Sequence, residues 1–318
     1  FMGGAEVSVR ILSRRLCESG YQVKCLGSYI NPRTGVSNLS TLCEFLRQHN
    51  IEFTLGECLS GLRYWYEGIE CKMIRQDEFL DVLAAEVQKN DIVFTAQEES
   101  DEVVRVAREG QAVTVGWLHS TSAVGLIVLR AFPTHILCTS RFVWQRAREE
   151  YGRTGILFYP PFDDTQARRA ETADEITLVN PIPDKGSDIF LELAKQFRDR
   201  RFLTIEGWYP VQLPAEDLQK NVRYLPSQIN LEGVLMGTRI LLTPSRIGEG
   251  FGRVVVEAGL HGVPSIVSTR GGLVEAVGDG GVVLETLNVK AWARALVELD
   301  DEERYASYCR AAWQVPIS

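Results

Sequence analysis

Short β-rich runs alternate with helical patterns along nearly the whole chain, and this alternation restricts the fold to the α/β class. Apolar runs such as AVTVGWLHS are followed by amphipathic patterns such as RFVWQRAREEYG. Strands that alternate with helices form βαβ units, so we predict mainly parallel sheets. The alternation stops at the polar, proline-containing stretch LFYPPFDDTQARRAETADE and restarts at EITLVN.

Two domains fit this pattern. The chain has 318 residues, of which 45% are hydrophobic, enough for two buried cores. We predict an N-terminal Rossmann-like domain at 1–158, a C-terminal one at 159–300, and a final helix at 301–318 that packs back on the N-terminal domain. The opening FMGGAEVSVRIL is helical at once, whereas an α/β domain normally begins with a strand. We therefore expect the first strand to be missing from the sequence.

Charge and composition exclude several function classes. The net charge is −8 and no basic stripe is present, so a nucleic acid is not an expected partner. The longest apolar run, SAVGLIVLRAF, is shorter than the ~20 residues that span a bilayer. None of the seven cysteines forms a C-x-x-C pair, and several lie in apolar segments, which favours core thiols and a reducing compartment. We expect a cytoplasmic protein, at most at the inner face of the membrane. No acids or histidines stand at metal-ligand spacing, so we expect no metal.

The segment PSRIGEGFGRVVVEAGLHG places two glutamates around a glycine-framed turn. Glu249 lies in the loop after a predicted strand, and Glu257 lies in the following helix. A helix N-terminus suits a phosphate, and a carboxylate can accept hydrogen bonds from neighbouring sugar hydroxyls. This combination fits a nucleotide sugar. The alternative is an ordinary loop with one surface acid and one capping acid.

With the Gly271-Gly272 pair that follows it, this segment resembles the donor-binding signature of retaining glycosyltransferases of family four. The resemblance implies the GT-B fold, in which two Rossmann-like domains face each other across a donor-binding cleft. It also implies transfer of a hexosyl unit from a nucleoside-diphosphate sugar, with retention at the anomeric carbon. Because no acids or histidines stand at metal-ligand spacing, we expect the donor to bind without a required metal and without another cofactor.

The same resemblance assigns roles to residues of the turn. Glu257 is expected to bind the ribose hydroxyls of the donor. Glu249 is expected to be catalytic and to hold the transferred sugar, together with the backbone of Gly250, Phe251 and Gly252. A carboxylate close to the reacting carbon can also stabilise an oxocarbenium-like transition state.

Two cations are candidates for the diphosphate. Lys185 follows the strand EITLVN, where a surface lysine at a helix start is the alternative. The family usually carries an arginine five positions earlier, and here that residue is Asn180. Arg246 is the candidate substitute, and a surface arginine at a strand end is its alternative.

Three further residues are expected at the donor. Gly3 and Gly4 precede the first helix and resemble the family's glycine loop, although a plain loop is the alternative. His119 ends a strand, where the family places a histidine near the donor sugar; we expect a catalytic role in hydrogen bonding or in sharing the acceptor proton. A satisfied histidine at a strand end is the alternative.

Other functions remain open at this point. A non-catalytic nucleotide-sugar binder or scaffold is one, and a GT-B nucleotide-sugar 2-epimerase is another. Dinucleotide oxidoreduction is weaker, because no G-x-G-x-x-G follows a strand. The acceptor is a saccharide, a lipid-linked saccharide or a small molecule. We expect the donor base near VRYLPSQIN. The aromatic and basic segment TSRFVWQRAREEYG is either an acceptor or membrane face or, as we favour, an ordinary amphipathic helix.

Overall fold

The computed structural model describes residues 3–29, 36–56, 61–163, 170–207, 213, 218–228 and 230–313. The chain forms two compact units. The larger unit comprises Phe1–Val7, Leu118–Ala123 and Leu137–Ser318, and the smaller unit comprises Ser8–Trp117 and Val124–Ile136. Residues 164–169, in the polar stretch where the alternation of strands and helices stops, lie outside the described residues.

The first half of the chain contains the predicted alternation of strands and helices. Its elements are α1 (Gly4–Glu18), β1 (Lys24–Ser28), α2 (Leu39–Gln48), β2 (Phe53–Leu55), β3 (Gly61–Tyr66), β4 (Ile69–Ile74), α3 (Phe79–Glu86), β5 (Ile92–Thr95), α4 (Ser100–Glu109), β6 (Val113–Leu118), α5 (Ala123–Leu126) and β7 (His135–Cys138). The strand that we predicted in AVTVGWLHS is present as β6.

One hairpin in the smaller unit was not predicted. Strands β3 and β4 pair antiparallel, β2 pairs antiparallel with β3, and only β1 joins β4 in parallel. The two-residue turn consists of Glu67 and Gly68, with φ of 51° and 78°. A type I′ hairpin turn requires positive φ at both of its central residues. The sheet is therefore mixed, and our expectation of mainly parallel pairing is wrong for it. Strands β5 and β6 pair in parallel as expected.

The second half forms a doubly wound domain within the larger unit. This half begins with α6 (Arg141–Tyr151) and β8 (Ile156–Leu157), and β8 pairs in parallel with β7. The elements of the doubly wound domain are β9 (Glu175–Val179), α7 (Ser187–Gln196), β10 (Arg201–Ile205), β11 (Val222–Leu225), α8 (Glu232–Gly237), β12 (Thr238–Thr243), α9 (Arg253–Leu260), β13 (Ser265–Ser268), α10 (Leu273–Val277), β14 (Gly281–Leu284), α11 (Val289–Glu298) and α12 (Glu302–Ala312).

Six of these strands form one parallel sheet in the order β11-β10-β9-β12-β13-β14. Successive residues of β12 face opposite sides, as the period of a strand dictates. Ile240 and Leu242 belong to a core with Phe190 of α7 and Trp292 of α11, whereas Leu241 belongs to a core on the α9 and α10 side. Both faces of the sheet are thus covered by helices, which makes the strands nearly continuous apolar runs.

Helix α12 packs within the larger unit. The Tyr305 side chain is buried, its hydroxyl donates to the Arg239 carbonyl at 2.8 Å, and a Cβ on Gly280 would lie 2.5 Å from the Ala312 Cα. Our prediction placed this helix on the N-terminal domain, whereas Tyr305 and Ala312 contact residues of the six-stranded domain. No helix in the described part of the chain is long and apolar enough to cross a membrane.

Candidate functional site

The strand order creates a crevice at the carboxyl ends of β9 and β12. These strands are neighbours in the sheet, and the chain leaves them toward opposite sides, which is the point where open parallel sheets bind ligands. Lys185 lies in the 3-10 turn Pro183–Lys185 that follows β9. Glu249 lies in the loop that follows β12. The fold therefore brings together two predicted site residues that are 64 positions apart.

Lys185 and Glu249 form an ion pair at this point. The Lys185 ammonium donates to Oε1 of Glu249, and the Ser245 hydroxyl donates to the same oxygen at 2.5 Å. The lysine and glutamate side chains are 20% and 15% exposed, so solvent reaches both of them. A positively charged ammonium and a negatively charged carboxylate thus meet in a partly open crevice. A charged ligand that enters the crevice can replace the contact between them.

The turn after Glu249 is packed so tightly that it excludes side chains. A Cβ on Gly250 would lie 1.9 Å from the His119 carbonyl oxygen, and Gly252 has φ of 107° and precedes α9 directly. The Ser140 hydroxyl donates to the Gly250 carbonyl at 2.5 Å. Residues 137–158, which we predicted in the N-terminal domain, belong to the larger unit, and the contact of Ser140 with this turn is one example.

Phe251 anchors the turn through its ring. The ring is buried and lies 5.5 Å from the ring of Tyr159 and 6.4 Å from that of Phe162. Since the side chain is in the core, any contact of Phe251 with a ligand is left to its backbone. The family resemblance assigned it a backbone role of this kind.

Glu257 lies on α9, one turn after the start of the helix. Arg253, the first residue of α9, donates from Nη2 to Glu257 Oε1 at 3.1 Å. Arg253 also donates from Nη1 to the Pro161 carbonyl at 2.8 Å, and its guanidinium carbon lies 4.3 Å from the Phe162 ring centroid. We did not predict Arg253. The sequence pattern that could have indicated a role for it is a cation in the first turn of a helix, four residues before an acid. The helix dipole disfavours a positive charge at that position.

His119 directly follows β6 and is neutral at physiological pH. Burial, and then the positive charge of Arg253, lower the pKa of its imidazole to about 3. Its position is fixed from both sides, because the Leu118 carbonyl accepts from the Thr139 hydroxyl at 2.9 Å and the His119 carbonyl abuts Gly250. A neutral imidazole can accept or donate a hydrogen bond, but it does not supply an imidazolium proton at pH 7.

The lowered pKa of His119 predicts how the stability of the protein depends on pH. The folded-state pKa lies below the unfolded value of about 6.5, so stability is fully present above pH 6.5 and falls as the pH drops toward 3. At pH 5 the loss from His119 should reach about 2 kcal/mol. We expect His119→Asn to lose correspondingly less stability between pH 7 and pH 5 in urea unfolding. Parallel pH curves for the two proteins would contradict the assignment, since every other titrating group is common to both.

The remaining predicted residues lie in different surroundings. A Cβ on Gly4 would lie 3.0 Å from Cδ of Arg253, so the start of α1 is brought to the start of α9. Gly3 precedes this helix, and its carbonyl accepts from the Val7 amide at 3.1 Å. Arg246 donates to the carboxylate of Asp188 on α7 at 2.5 Å, with 40% of its side chain exposed.

Asn180 occupies a restricted place after β9. Its φ is 65°, and its backbone N–H donates to the Ile205 carbonyl at 2.8 Å. A Cβ added to Gly207 would lie 2.2 Å from the Cβ of Asn180. An asparagine tolerates this left-handed backbone better than most residues do. The local backbone therefore offers a reason for the side chain found here in place of the family's arginine.

Two broader expectations can be placed on the structure. Helix α6 buries Val143 and Ala147, and Arg148 stacks on Trp144 at 5.6 Å, as expected for the amphipathic helix that we favoured. The segment VRYLPSQIN contains β11, although Ile229 lies outside the described residues, and its contact with a base stays a prediction. Among the described residues, no group of three or more acids, histidines or cysteines is arranged to hold a metal ion.

Comparison with known proteins agrees with this geometry. Residues 175–301 match the family described as glycosyl transferases group 1. HepE from Anabaena, in complex with UDP and glucose, superimposes with a TM-score of 0.73 at 15% identity, over 98% of this chain and 90% of that one. Sucrose-phosphate synthase from Thermosynechococcus elongatus gives 0.71 at 17% identity, over 98% and 88%. The catalytic domain of Starch Synthase IV from Arabidopsis thaliana, bound to ADP and acarbose, gives 0.64 at 12% identity, over 93% and 96%. No curated protein sequence matches the chain.

At such low identity, these likenesses establish the fold, and the family match covers the part of the chain that carries Lys185, Glu249 and Glu257. The predicted architecture of two Rossmann-like domains is confirmed. The chain thus has the GT-B fold, and its segment 175–301 is similar to the glycosyl transferases group 1 family.

Proposed function

We propose that the protein is a retaining glycosyltransferase that moves a hexosyl unit from a nucleoside-diphosphate sugar to an acceptor. The family match supports glycosyl transfer from a nucleotide sugar. The observation that carries the proposal is the Lys185–Glu249 pair at the switch point of the parallel sheet. The hexosyl unit and the retention rest on the resemblance to family four.

In this proposal the donor replaces the contact between Lys185 and Glu249. The Lys185 ammonium moves to the diphosphate, where it neutralises the charge of the leaving group. The N-terminus of α9 adds to this binding, because a helix N-terminus attracts phosphate. Phosphate charge is thus met by the protein itself, without a required metal or a further cofactor.

Two carboxylates then bind the two sugars of the donor. Glu257 accepts hydrogen bonds from the ribose hydroxyls. Glu249, held by Ser245, lies beside the transferred hexose and stabilises the positive charge that develops at its anomeric carbon. Fixed charges of this kind act without reorganisation during the reaction, which is why they accelerate it.

The remaining proton belongs to the acceptor hydroxyl. As the bond to the diphosphate breaks, the acceptor attacks from the same face, and the departing phosphate oxygen takes the proton. His119 is neutral and orients the sugar or the acceptor by hydrogen bonding. The acceptor is a saccharide, a lipid-linked saccharide or a small molecule.

The described cysteines are all free thiols, which supports a reducing, cytoplasmic location.

The experiment that tests the proposal is thermal protection by UDP, GDP, ADP and dTDP, followed by the sugar forms of the nucleotide that protects. A ligand at 100 times its dissociation constant adds about 2.7 kcal/mol to stability, which raises the midpoint by several degrees. The comparisons leave the base open, since one neighbour holds UDP and another holds ADP. Absence of protection by every nucleotide would overturn the proposal. Proton NMR of the product then reports its anomeric configuration, and an inverted product would overturn retention.

A non-catalytic nucleotide-sugar binder is the second candidate. Asn180 favours it, because the family's usual arginine is absent and Arg246 is paired with Asp188 instead. Such a protein would be protected by a nucleotide sugar but would neither transfer nor hydrolyse it. Release of the diphosphate from the bound sugar form therefore separates the two functions.

A further inference from the structure

Arg253 has three separate anchors in the larger unit. One N–H of its guanidinium binds the Pro161 carbonyl at 2.8 Å, another binds Glu257 at 3.1 Å, and the planar group stacks on Phe162 at 4.3 Å. Its side chain is only 11% exposed. A surface ion pair at this helical spacing is usually weak, and its side chains move freely. These anchors instead fix the guanidinium in one place.

The aliphatic part of the same side chain lies against the glycine pair that precedes and begins α1. A Cβ on Gly4 would lie 3.0 Å from Cδ and 3.7 Å from Cγ of Arg253. A larger residue at this position would therefore displace the arginine. Arg253 is thus in contact both with the predicted glycine loop and with the glutamate that we assign to the ribose.

Glu257 depends on this arginine for its orientation. Its carboxylate is 27% exposed, and Arg253 is the cation that engages Oε1. A solvent-accessible glutamate has three rotatable bonds, and ordering it on binding costs free energy. When one carboxylate oxygen is already held by a fixed guanidinium, the group is oriented before the ligand arrives.

We propose that Arg253 is a positioning residue that holds Glu257 in place for the ribose hydroxyls of the donor. The inference rests on the proposed function and deepens it, since it assigns ribose recognition to an arginine–glutamate unit rather than to the glutamate alone. In this proposal Arg253 acts through Glu257 and not on the diphosphate. Its effect on binding therefore requires both Glu257 and the ribose hydroxyls.

The test compares nucleotides with and without these hydroxyls. The probes are the protective nucleoside diphosphate from UDP, GDP and ADP, and its 2′,3′-dideoxy form, with dissociation constants measured by calorimetry. Arg253→Gln should weaken the ribonucleotide by on the order of 10-fold, the effect of one lost charged hydrogen bond, and leave the dideoxy compound unchanged. Glu257→Gln should behave in the same way, and the double variant should lose no more than either single one.

Arg253→Lys keeps the charge without the planar fork and should fall between wild type and Arg253→Gln. Arg239→Gln is the matched control. Arg239 also pairs with a glutamate, at 3.0 Å, and stacks on an aromatic ring, at 4.1 Å, but it does so on Glu302 and Tyr305 of α12. The control should lower stability without changing the discrimination between the two nucleotides.

Each outcome has a distinct meaning. Equal weakening of both nucleotides by Arg253→Gln would show that the arginine acts on the phosphates or on the fold, and would overturn the inference. Additive losses in the double variant would overturn it as well. If wild-type protein binds none of the nucleotides, the proposed function fails and the inference fails with it. Normal wild-type binding with an unaffected Arg253→Gln variant removes only the inference.

Discussion

Glu249→Gln should reduce kcat by on the order of 10²- to 10³-fold, which is the usual effect of removing one preorganised electrostatic contact from a transition state. The amide has the size of the carboxylate and can still accept hydrogen bonds from Ser245 and Lys185. The amide lacks the negative charge that stabilises the positive charge on the reacting sugar. Steady-state kinetics with saturating nucleotide sugar measures this loss directly.

Donor affinity should change much less than turnover. If Glu249 stabilises charge that exists only in the transition state, the dissociation constant for the nucleoside diphosphate should change by no more than about threefold. Glu175→Gln is a suitable control, because Glu175 is 14% exposed and pairs with Arg223, at the amino end of β9 rather than the carboxyl end. Equal losses of affinity and turnover in Glu249→Gln would instead assign Glu249 a positioning role.

Much of the larger unit could be predicted from the sequence, because its strands and helices have unambiguous periods. Strand β12 reads as a continuous apolar run, and both of its faces are indeed buried. The loop that follows each strand could therefore be placed at the carboxyl edge of the sheet, which is why Lys185 and Glu249 were both predicted before they were seen in contact.

Contacts made by side chains with several possible partners could not be predicted in this way. Arg246 lies three residues after the end of β12, and the sequence does not distinguish a phosphate from Asp188 as its partner, although Asp188 is 58 residues away in the chain. The role of Arg253 depends on Pro161 and Phe162, which lie before the six-stranded sheet begins. Such pairings depend on tertiary approach and leave only a weak local signal.

The β3–β4 hairpin was missed for another reason. Its strands mix exposed charges with buried aromatic and aliphatic residues, and the turn Glu67-Gly68 is less typical than Asn-Gly or Asp-Gly. The prediction of βαβ units everywhere favoured parallel pairing. The alternating burial of Leu62, Arg63 and Tyr64 was nevertheless available as a signal of a half-buried strand.

Lys185→Met should lower kcat/KM by on the order of 10³-fold, because a cation that meets the charge of a departing phosphate typically contributes at least that much. Part of the loss should appear in binding. A charged hydrogen bond to phosphate contributes about 1.5–3 kcal/mol, so the nucleoside diphosphate should bind roughly 10- to 100-fold more weakly. The nucleoside without phosphates should bind as it does to wild type, and calorimetry with both compounds separates these terms.

A matched lysine on the neighbouring helix controls for the loss of charge. Lys195 lies in α7, is 63% exposed and pairs with Glu192, so Lys195→Met removes one positive charge without touching the crevice. It should leave kcat/KM unchanged. If Lys185→Met weakened nucleoside and nucleoside diphosphate alike, the lysine would support the fold of the crevice rather than the phosphates.

The ion pair adds a stability effect that distinguishes structure from function. Lys185→Met takes the cation away from the Glu249 carboxylate and leaves it the Ser245 hydroxyl, which is unfavourable for a mostly buried charge. The double variant Lys185→Met/Glu249→Gln removes both charges and should be more stable than the sum of the single losses predicts. Its activity should stay as low as that of the worse single variant. Recovery of stability without recovery of turnover is the result expected if the pair serves the donor, because the fold tolerates the loss of both charges whereas the reaction requires each of them.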